Sequence, residues 1–170
     1  MFAHNGNLPG IYRSEALALG AHHPVGQTDS EHAFCVLLER LHEPWKACLP
    51  PTLEVRLALL TAFALDLREL GPANFLYSDG DALFAHGHRR VQINSKRADP
   101  PGLWIRQRHC APADPVPDDC GGVSIAQEER SVVWIASVPL TDDAWRPLAE
   151  GEVLAVRDGQ TLGPQSVVVT

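Results

Sequence analysis

Phe2-Ala3-His4-Asn5-Gly6-Asn7-Leu8 is the stretch on which the reading of this chain turns. A short apolar run ends there in Asn5-Gly6, the dipeptide best suited to positive φ and a tight bend. Two readings fit the pair. The first is a plain hairpin turn, for which Asn-Gly is common punctuation. The second is a strand end that offers a side-chain amide and a backbone N–H at one point. Those are the donors that acyl-transfer chemistry sets around an oxyanion.

The second informative stretch is Pro24-Val25-Gly26-Gln27-Thr28-Asp29-Ser30-Glu31-His32-Ala33-Phe34. Thr28-x-x-Glu31 predicts a capping box, with the Thr28 hydroxyl on the Glu31 backbone N–H and the Glu31 carboxylate reaching back. Phe34, Leu37, Leu38 and Leu41 then fall on one face at helical spacing, and Pro44 is expected to end the helix. Asp29 lies in the first turn, where an anion favours the helix dipole. Between the two stretches, residues 9–23 read as a loop, with room for one helical turn over residues 16–19.

Beyond the first helix, Pro50-Pro51 marks a break, and Thr52 caps a second helix expected to run to about Leu70. Leu53, Leu57, Leu60, Ala64 and Leu67 line one stripe, and Leu59, Phe63 and Leu70 widen it, as for a helix laid on a sheet. Gly71-Pro72 stop it. From residue 73 the texture changes to strands. Residues 74–77 and 82–85 flank Ser78-Asp79-Gly80-Asp81, a hairpin signal. Residues 90–93 and 103–106 alternate with period two, as half-buried strands do. Residues 110–122, rich in Pro, Asp and Gly, read as a loop, and residues 123–126 and 132–138 resume the strand pattern. Residues 153–156, the turn Arg157-Asp158-Gly159-Gln160 and residues 167–169 read as a last hairpin with an extended tail. Helices followed by a run of antiparallel strands argue for an α+β fold.

Composition narrows the function. The chain has 170 residues, 45% of them hydrophobic and 21% charged, with a net charge of −7. That is enough chain for one domain with a real core. A nucleic-acid binder is disfavoured, because no basic stripe is visible; Arg89-Arg90 and Lys96-Arg97 read as solvated loop charges. The run from Leu57 to Leu65 is too short to span a bilayer. Residues 1–10 lack a basic start and an apolar h-region, so no secretory signal is expected. The four cysteines, Cys35, Cys48, Cys110 and Cys120, form no Cys-x-x-Cys pair. With no signal peptide, a reducing, cytoplasmic setting is expected, and Cys35 reads as a core thiol. His4 and His32, His22-His23 and His86-x-His88 suggest a metal site, yet no spacing supplies three or four convergent ligands, so no metal or other cofactor is expected. No Gly-x-Ser-x-Gly elbow surrounds Ser30, Ser78 or Ser137. Trp104, Trp134 and Trp145 read as core or inter-layer packing.

The two opening stretches together resemble the class II glutamine amidotransferases, within the N-terminal-nucleophile hydrolases, and the small stand-alone members above all. The resemblance continues through Asn74-Phe75-Leu76-Tyr77-Ser78-Asp79-Gly80, Leu83-Phe84-Ala85-His86, Ala136-Ser137-Val138-Pro139-Leu140-Thr141-Asp142 and Trp145-Arg146-Pro147-Leu148. It implies a four-layer αββα sandwich formed by one domain, residues 1–170. It implies that Asn5 and Gly6 are the oxyanion donors and that Asp29, next to Thr28, pairs with the substrate's α-ammonium. The substrate would be L-glutamine or a γ-glutamyl compound. One departure stands out. The family's nucleophile is a cysteine just after the initiator methionine, and here that position holds Phe2. The family's carboxylate-binding arginine also lies upstream of His-Asn-Gly. The resemblance therefore implies an N-terminally truncated, partial domain that begins in mid-strand. The expectations are an inactive chain with an unpaired sheet edge, prone to form homo-oligomers, or a binding module that keeps half of the glutamine pocket.

Overall fold

The computed structural model describes residues 1–46, 50–110 and 130–163. In chain order its strands are β1 (Phe2–Gly6), β2 (Ala73–Ser78), β3 (Leu83–His86), β4 (Arg90–Val91), β5 (Ala98–Asp99), β6 (Trp104–Cys110), β7 (Arg130–Ala136), β8 (Arg146–Pro147), β9 (Val153–Arg157) and β10 (Gln160–Leu162). Helices α1 (Asp29–Trp45) and α2 (Leu53–Arg68) lie between β1 and β2. The mixed α and antiparallel β content agrees with the reading of the sequence. The expected strand over residues 123–126 and the tail at 167–169 lie outside the described residues.

Among the described residues three sheets form, and every pairing is antiparallel. The largest has the order β1-β2-β3-β9-β10, a second has β7-β6-β8, and β4-β5 make a small ribbon. Side chains alternate across the large sheet and so belong to two cores. Phe75, Tyr77, Phe84, Val153 and Ala155 join Val36, Leu37, Leu60, Phe63 and Leu67 of the helices. Ala85 and Leu154 point the other way, against Leu103, Ile105 and Leu148 beside the three-stranded sheet. This explains Val153-Leu154-Ala155-Val156: a strand covered on both faces needs no polar alternation. Layers therefore run helix, sheet, sheet. The second helical layer implied by the resemblance has no counterpart among the described residues.

Local signals largely decide the elements. Thr28 Oγ1 accepts from Glu31 N at 3.2 Å and Thr52 Oγ1 from Val55 N at 3.4 Å, so both predicted caps form. The reciprocal half of the first capping box does not. The Glu31 carboxylate accepts instead from Val25 N at 2.9 Å and Gly26 N at 2.8 Å. The preceding loop folds back over the helix start and offers two amides. Pro44 does not end α1 but sits inside its last turn. Only one helical bond is lost there, and Lys46 N closes the end by donating to Glu43 O at 3.2 Å. Residues 9–23 hold two 3-10 turns, Ile11–Arg13 and Glu15–Leu17, which send Ile11 and Leu17 into the core. The expected half-buried strand over residues 90–93 shrinks to β4. Val91 and Ile93 stand exposed, because the β4-β5 ribbon carries no layer over them. Asp158 and Gly159 both have positive φ, the backbone of the tight hairpin read from Asp-Gly. Trp134 is not a core residue; it lies on an open face, stacked with Trp145 at 6.4 Å and under the Arg106 guanidinium at 4.9 Å.

Candidate active site

Asn5-Gly6 closes β1, the outermost strand of the large sheet, and is not a turn. Asn5 pairs with Asn74 and Gly6 with Ala73, and Gly6 has no positive φ. Glycine is required there for space. A Cβ on Gly6 would lie 1.9 Å from the Pro72 carbonyl oxygen and 2.7 Å from His4 Nε2. The strand register aims the backbone. Asn7 N donates to Pro72 O at 3.0 Å and Ser78 N to Met1 O at 2.8 Å. Hydrogen-bonded pairs alternate with non-bonded ones in an antiparallel ladder. Odd residues of β1 therefore bond to β2, and the Gly6 N–H points outward, where the described residues hold no further strand.

The two faces of β1 are built differently. On the helix side, His4 Nδ1 is 2.9 Å from Ser30 Oγ, and Ser30 Oγ donates to Asp29 Oδ1 at 3.3 Å. The same Asp29 oxygen accepts from Ser30 N at 2.7 Å, while Oδ2 accepts from Leu8 N at 2.8 Å. Asp29 thus locks the exit of β1 to the start of α1, and Thr28 caps that helix. Burial lowers the His4 pKa, against Asp29 and the Pro72 carbonyl, which favour the charged ring. His4 thus braces the end of β1 against the start of α1 through Ser30.

On the face toward the three-stranded sheet, Asn5 Nδ2 donates to Ser137 Oγ at 3.3 Å. Below it Asn74, 1% exposed, binds three backbone groups. Its Nδ2 donates to Asn5 O at 2.9 Å and Arg89 O at 2.7 Å, and its Oδ1 accepts from His88 N at 2.8 Å. A cleft of about 360 Å³ opens above these groups, lined by Asn5, Gly6, Asn7, Asn74, Arg90 and Ser137 among others. An adjoining hollow of about 150 Å³ shares Asn5, Asn74 and Ser137 and ends on Leu76, Leu103 and Ile135.

Asn5 and Gly6 therefore face a cleft, and Asp29 and Thr28 sit across the strand from it. Asn74, Ser137 and Arg90 went unassigned in the sequence. An amide inside the otherwise apolar run Asn74-Phe75-Leu76-Tyr77 was the available signal for Asn74. Arg90 carried a misleading one: it is not a solvated loop charge, because its Nε is fully buried. Cys35 is buried in α1, and burial, then Glu31, raises its pKa, which suits a core thiol. Cys110 is free at the end of β6, and Cys48 and Cys120 lie outside the described residues. Among the described residues no group of three or more His, Cys, Asp or Glu side chains is placed to share a metal ion, and no helix is long and apolar enough to cross a membrane. His86 and His88 are spent internally. His86 Nδ1 is 3.2 Å from Glu152 O, and His88 Nδ1 accepts from Ala73 N at 3.3 Å.

A layered α+β domain with a glycine N–H and an asparagine amide at one strand end fits an acyl-transfer scaffold. The chain belongs to the class II glutamine amidotransferases, whose family model matches residues 1–169. It is 32% identical to an uncharacterised protein of Methanocaldococcus jannaschii over 95% of this chain and 42% of that protein. It is 30% identical over 155 residues to YafJ of Escherichia coli, provisionally named a glutamine amidotransferase, covering 89% of this chain and 55% of that one. A crystal structure of a predicted glutamine amidotransferase from Pseudomonas aeruginosa superposes with a TM-score of 0.71 at 31% identity, covering 95% of this chain and 59% of the other. A class II domain protein from Silicibacter pomeroyi shares the fold, with a TM-score of 0.51 at 22% identity. The chain spans about half the length of the curated relatives it matches.

Proposed function

We propose that these 170 residues form the acyl-recognition part of a class II amidotransferase site that takes L-glutamine or a γ-glutamyl amide. In this reading the Gly6 N–H and the Asn5 amide bind the oxygen of the acyl carbonyl as it becomes tetrahedral. Asp29, held at the start of α1, pairs with the α-ammonium, and the Thr28 cap keeps that helix end in place. The supporting observation is the outward Gly6 N–H at a position where register forbids a bond to β2. One acceptor site of the Asp29 carboxylate, on Oδ2, remains after its three protein donors, since each oxygen can accept two hydrogen bonds.

The chemistry needs a nucleophile and a proton acceptor as well. Residue 2 is phenylalanine, and neither described cysteine is placed as a nucleophile. The chain by itself accordingly binds the substrate without hydrolysing it. Calorimetry with L-glutamine, run beside an ammonia-release assay, tests this. Binding that weakens at least tenfold in Asp29→Asn, with no ammonia above a protein-free control, is the expected result. Turnover by the 170-residue chain overturns the inactivity, and absence of binding overturns the site. Reading the coding DNA in frame upstream of the Met1 codon then separates two histories. An open frame leading to a methionine-cysteine start favours an active enzyme, and a nearby stop codon favours a binding module.

A further inference from the structure

Arg90 is the group that the site, so far described, leaves unexplained. It lines the cleft beside Asn5, Gly6 and Ser137. Its Nε is buried without a partner, and among the described residues its guanidinium makes no ion pair. Its neighbour Arg89 is occupied: Nε and Nη2 both reach Glu150 Oε1, at 2.7 and 2.6 Å. Asp99, opposite Arg90 in the β4-β5 register, accepts from Ser95 Oγ at 3.3 Å and forms no ion pair with it. Among the described residues no acidic side chain lines the cleft. A partly buried arginine with no carboxylate partner among the described residues, in a cleft lined otherwise by asparagine amides, the Ser137 hydroxyl, Pro72, Val91 and the already paired Arg89, is short of an anion.

We propose that Arg90 receives a carboxylate on the amine portion of the substrate, so that the site prefers γ-glutamyl amino acids and peptides over amides with a neutral amine portion. The inference rests on the acyl-site reading above. Asp29 lies on the helix side of β1, and Arg90 lines the cleft on the other side. A γ-glutamyl amide with its carbonyl at Gly6 and its ammonium at Asp29 projects its amine portion into that cleft. In a γ-glutamyl dipeptide the carboxylate of the second residue then falls on the Arg90 side. The planar fork of arginine suits a carboxylate better than lysine does.

The test is calorimetric titration of the 170-residue chain with γ-L-glutamylglycine and γ-L-glutamylmethylamide, two probes that differ by one carboxylate, with L-glutamine as a third. Tighter binding of γ-glutamylglycine than of the methylamide, by about tenfold or more, is expected from a charge-assisted contact. Arg90→Gln should abolish that ratio, and Arg90→Lys should retain part of it. A parallel loss for all three probes in Arg90→Gln means that Arg90 holds the shared α-carboxylate, which overturns the proposal while sparing the acyl site. An unchanged ratio in Arg90→Gln also overturns it. Failure of the unmodified chain to bind any probe overturns the acyl-site reading itself.

Discussion

Arg56 and Arg90 show how differently one side chain is used in two parts of this molecule. Arg56 sits on the core face of α2, with its side chain 4% exposed. Its two terminal nitrogens donate to Asp79 at 2.8 Å and to Asp81 at 2.7 Å, and its guanidinium lies over the Phe84 ring. Arg157 adds a second cation 3.4 Å from Asp81. Arg90 is also partly withdrawn from water, yet among the described residues it has no carboxylate partner. A buried charge that the protein neutralises itself belongs to the scaffold; one left open next to a cleft is available to a ligand. The same contrast separates Asn74, whose hydrogen bonds all close on the backbone, from Asn5, whose amide makes a single long contact to Ser137.

The comparison can be broken at its scaffold end first. Asp79→Ala strands Arg56 with its more deeply buried partner gone. It should cost about 3–5 kcal/mol, the usual consequence of breaking one side of a buried pair, measured by urea unfolding. Ligand affinity at the cleft should be unchanged in the fraction that stays folded. A loss below about 1 kcal/mol, the scale of an exposed pair, would mean that the cluster is no more than a surface ion pair.

The next effect is acid sensitivity. His86 is wholly buried, and burial, the largest influence, lowers its pKa from 6.5 to about 4. The Glu152 carbonyl can only accept, so in the neutral ring the proton sits on Nδ1. Because the folded-state pKa lies below the unfolded one, the unfolded chain takes up the proton first. The His86 contribution is present above about pH 6.5 and is lost as pH falls toward about 4, by roughly 3 kcal/mol. His86→Gln should flatten that part of the stability profile; an unchanged acid limb places the titrating group elsewhere.

Asn74→Ala tests the boundary between the two regions. It leaves the His88 N–H without its acceptor and removes the donor to two carbonyls. A loss of about 2–3 kcal/mol is expected for unsatisfied buried groups, together with weaker glutamine binding, since β1 and the start of β4 are no longer held together. Stability lost with full binding retained would assign Asn74 to the scaffold alone. The smallest effect is Thr28→Ala, which removes a helix cap worth about 1 kcal/mol. If calorimetry then shows glutamine affinity falling far more than the melting temperature, Thr28 touches the ligand as well as the helix.

The elements carried by near neighbours in the chain were legible without coordinates. The Thr28 and Thr52 caps, the apolar stripe of α2, the Asp158-Gly159 hairpin and the α+β class each depend on side chains a few residues apart. The motif Phe2–Leu8, with Thr28-Asp29-Ser30-Glu31 and the later stretches, carried the family. Asn5-Gly6 shows where that reading ends. Its local preference is for a turn with positive φ. The chain instead holds it extended, because a ladder to residues 73–77 outweighs the dipeptide's own preference, and Gly6 is needed so that the Pro72 carbonyl and the His4 ring can approach.

What only the tertiary structure decided is which polar groups find partners within the protein. Arg56 meets Asp79 and Asp81 across 23 and 25 positions of chain. Asn5 meets Ser137 across 132. The Glu31 carboxylate turns to Val25 and Gly26 because the fold brings those amides to it. Sequence fixes the charge and reach of each group. Whether a group is then satisfied or left open depends on long-range packing, and that is why the Asn5–Arg90 cleft emerged only once the sheets were in place.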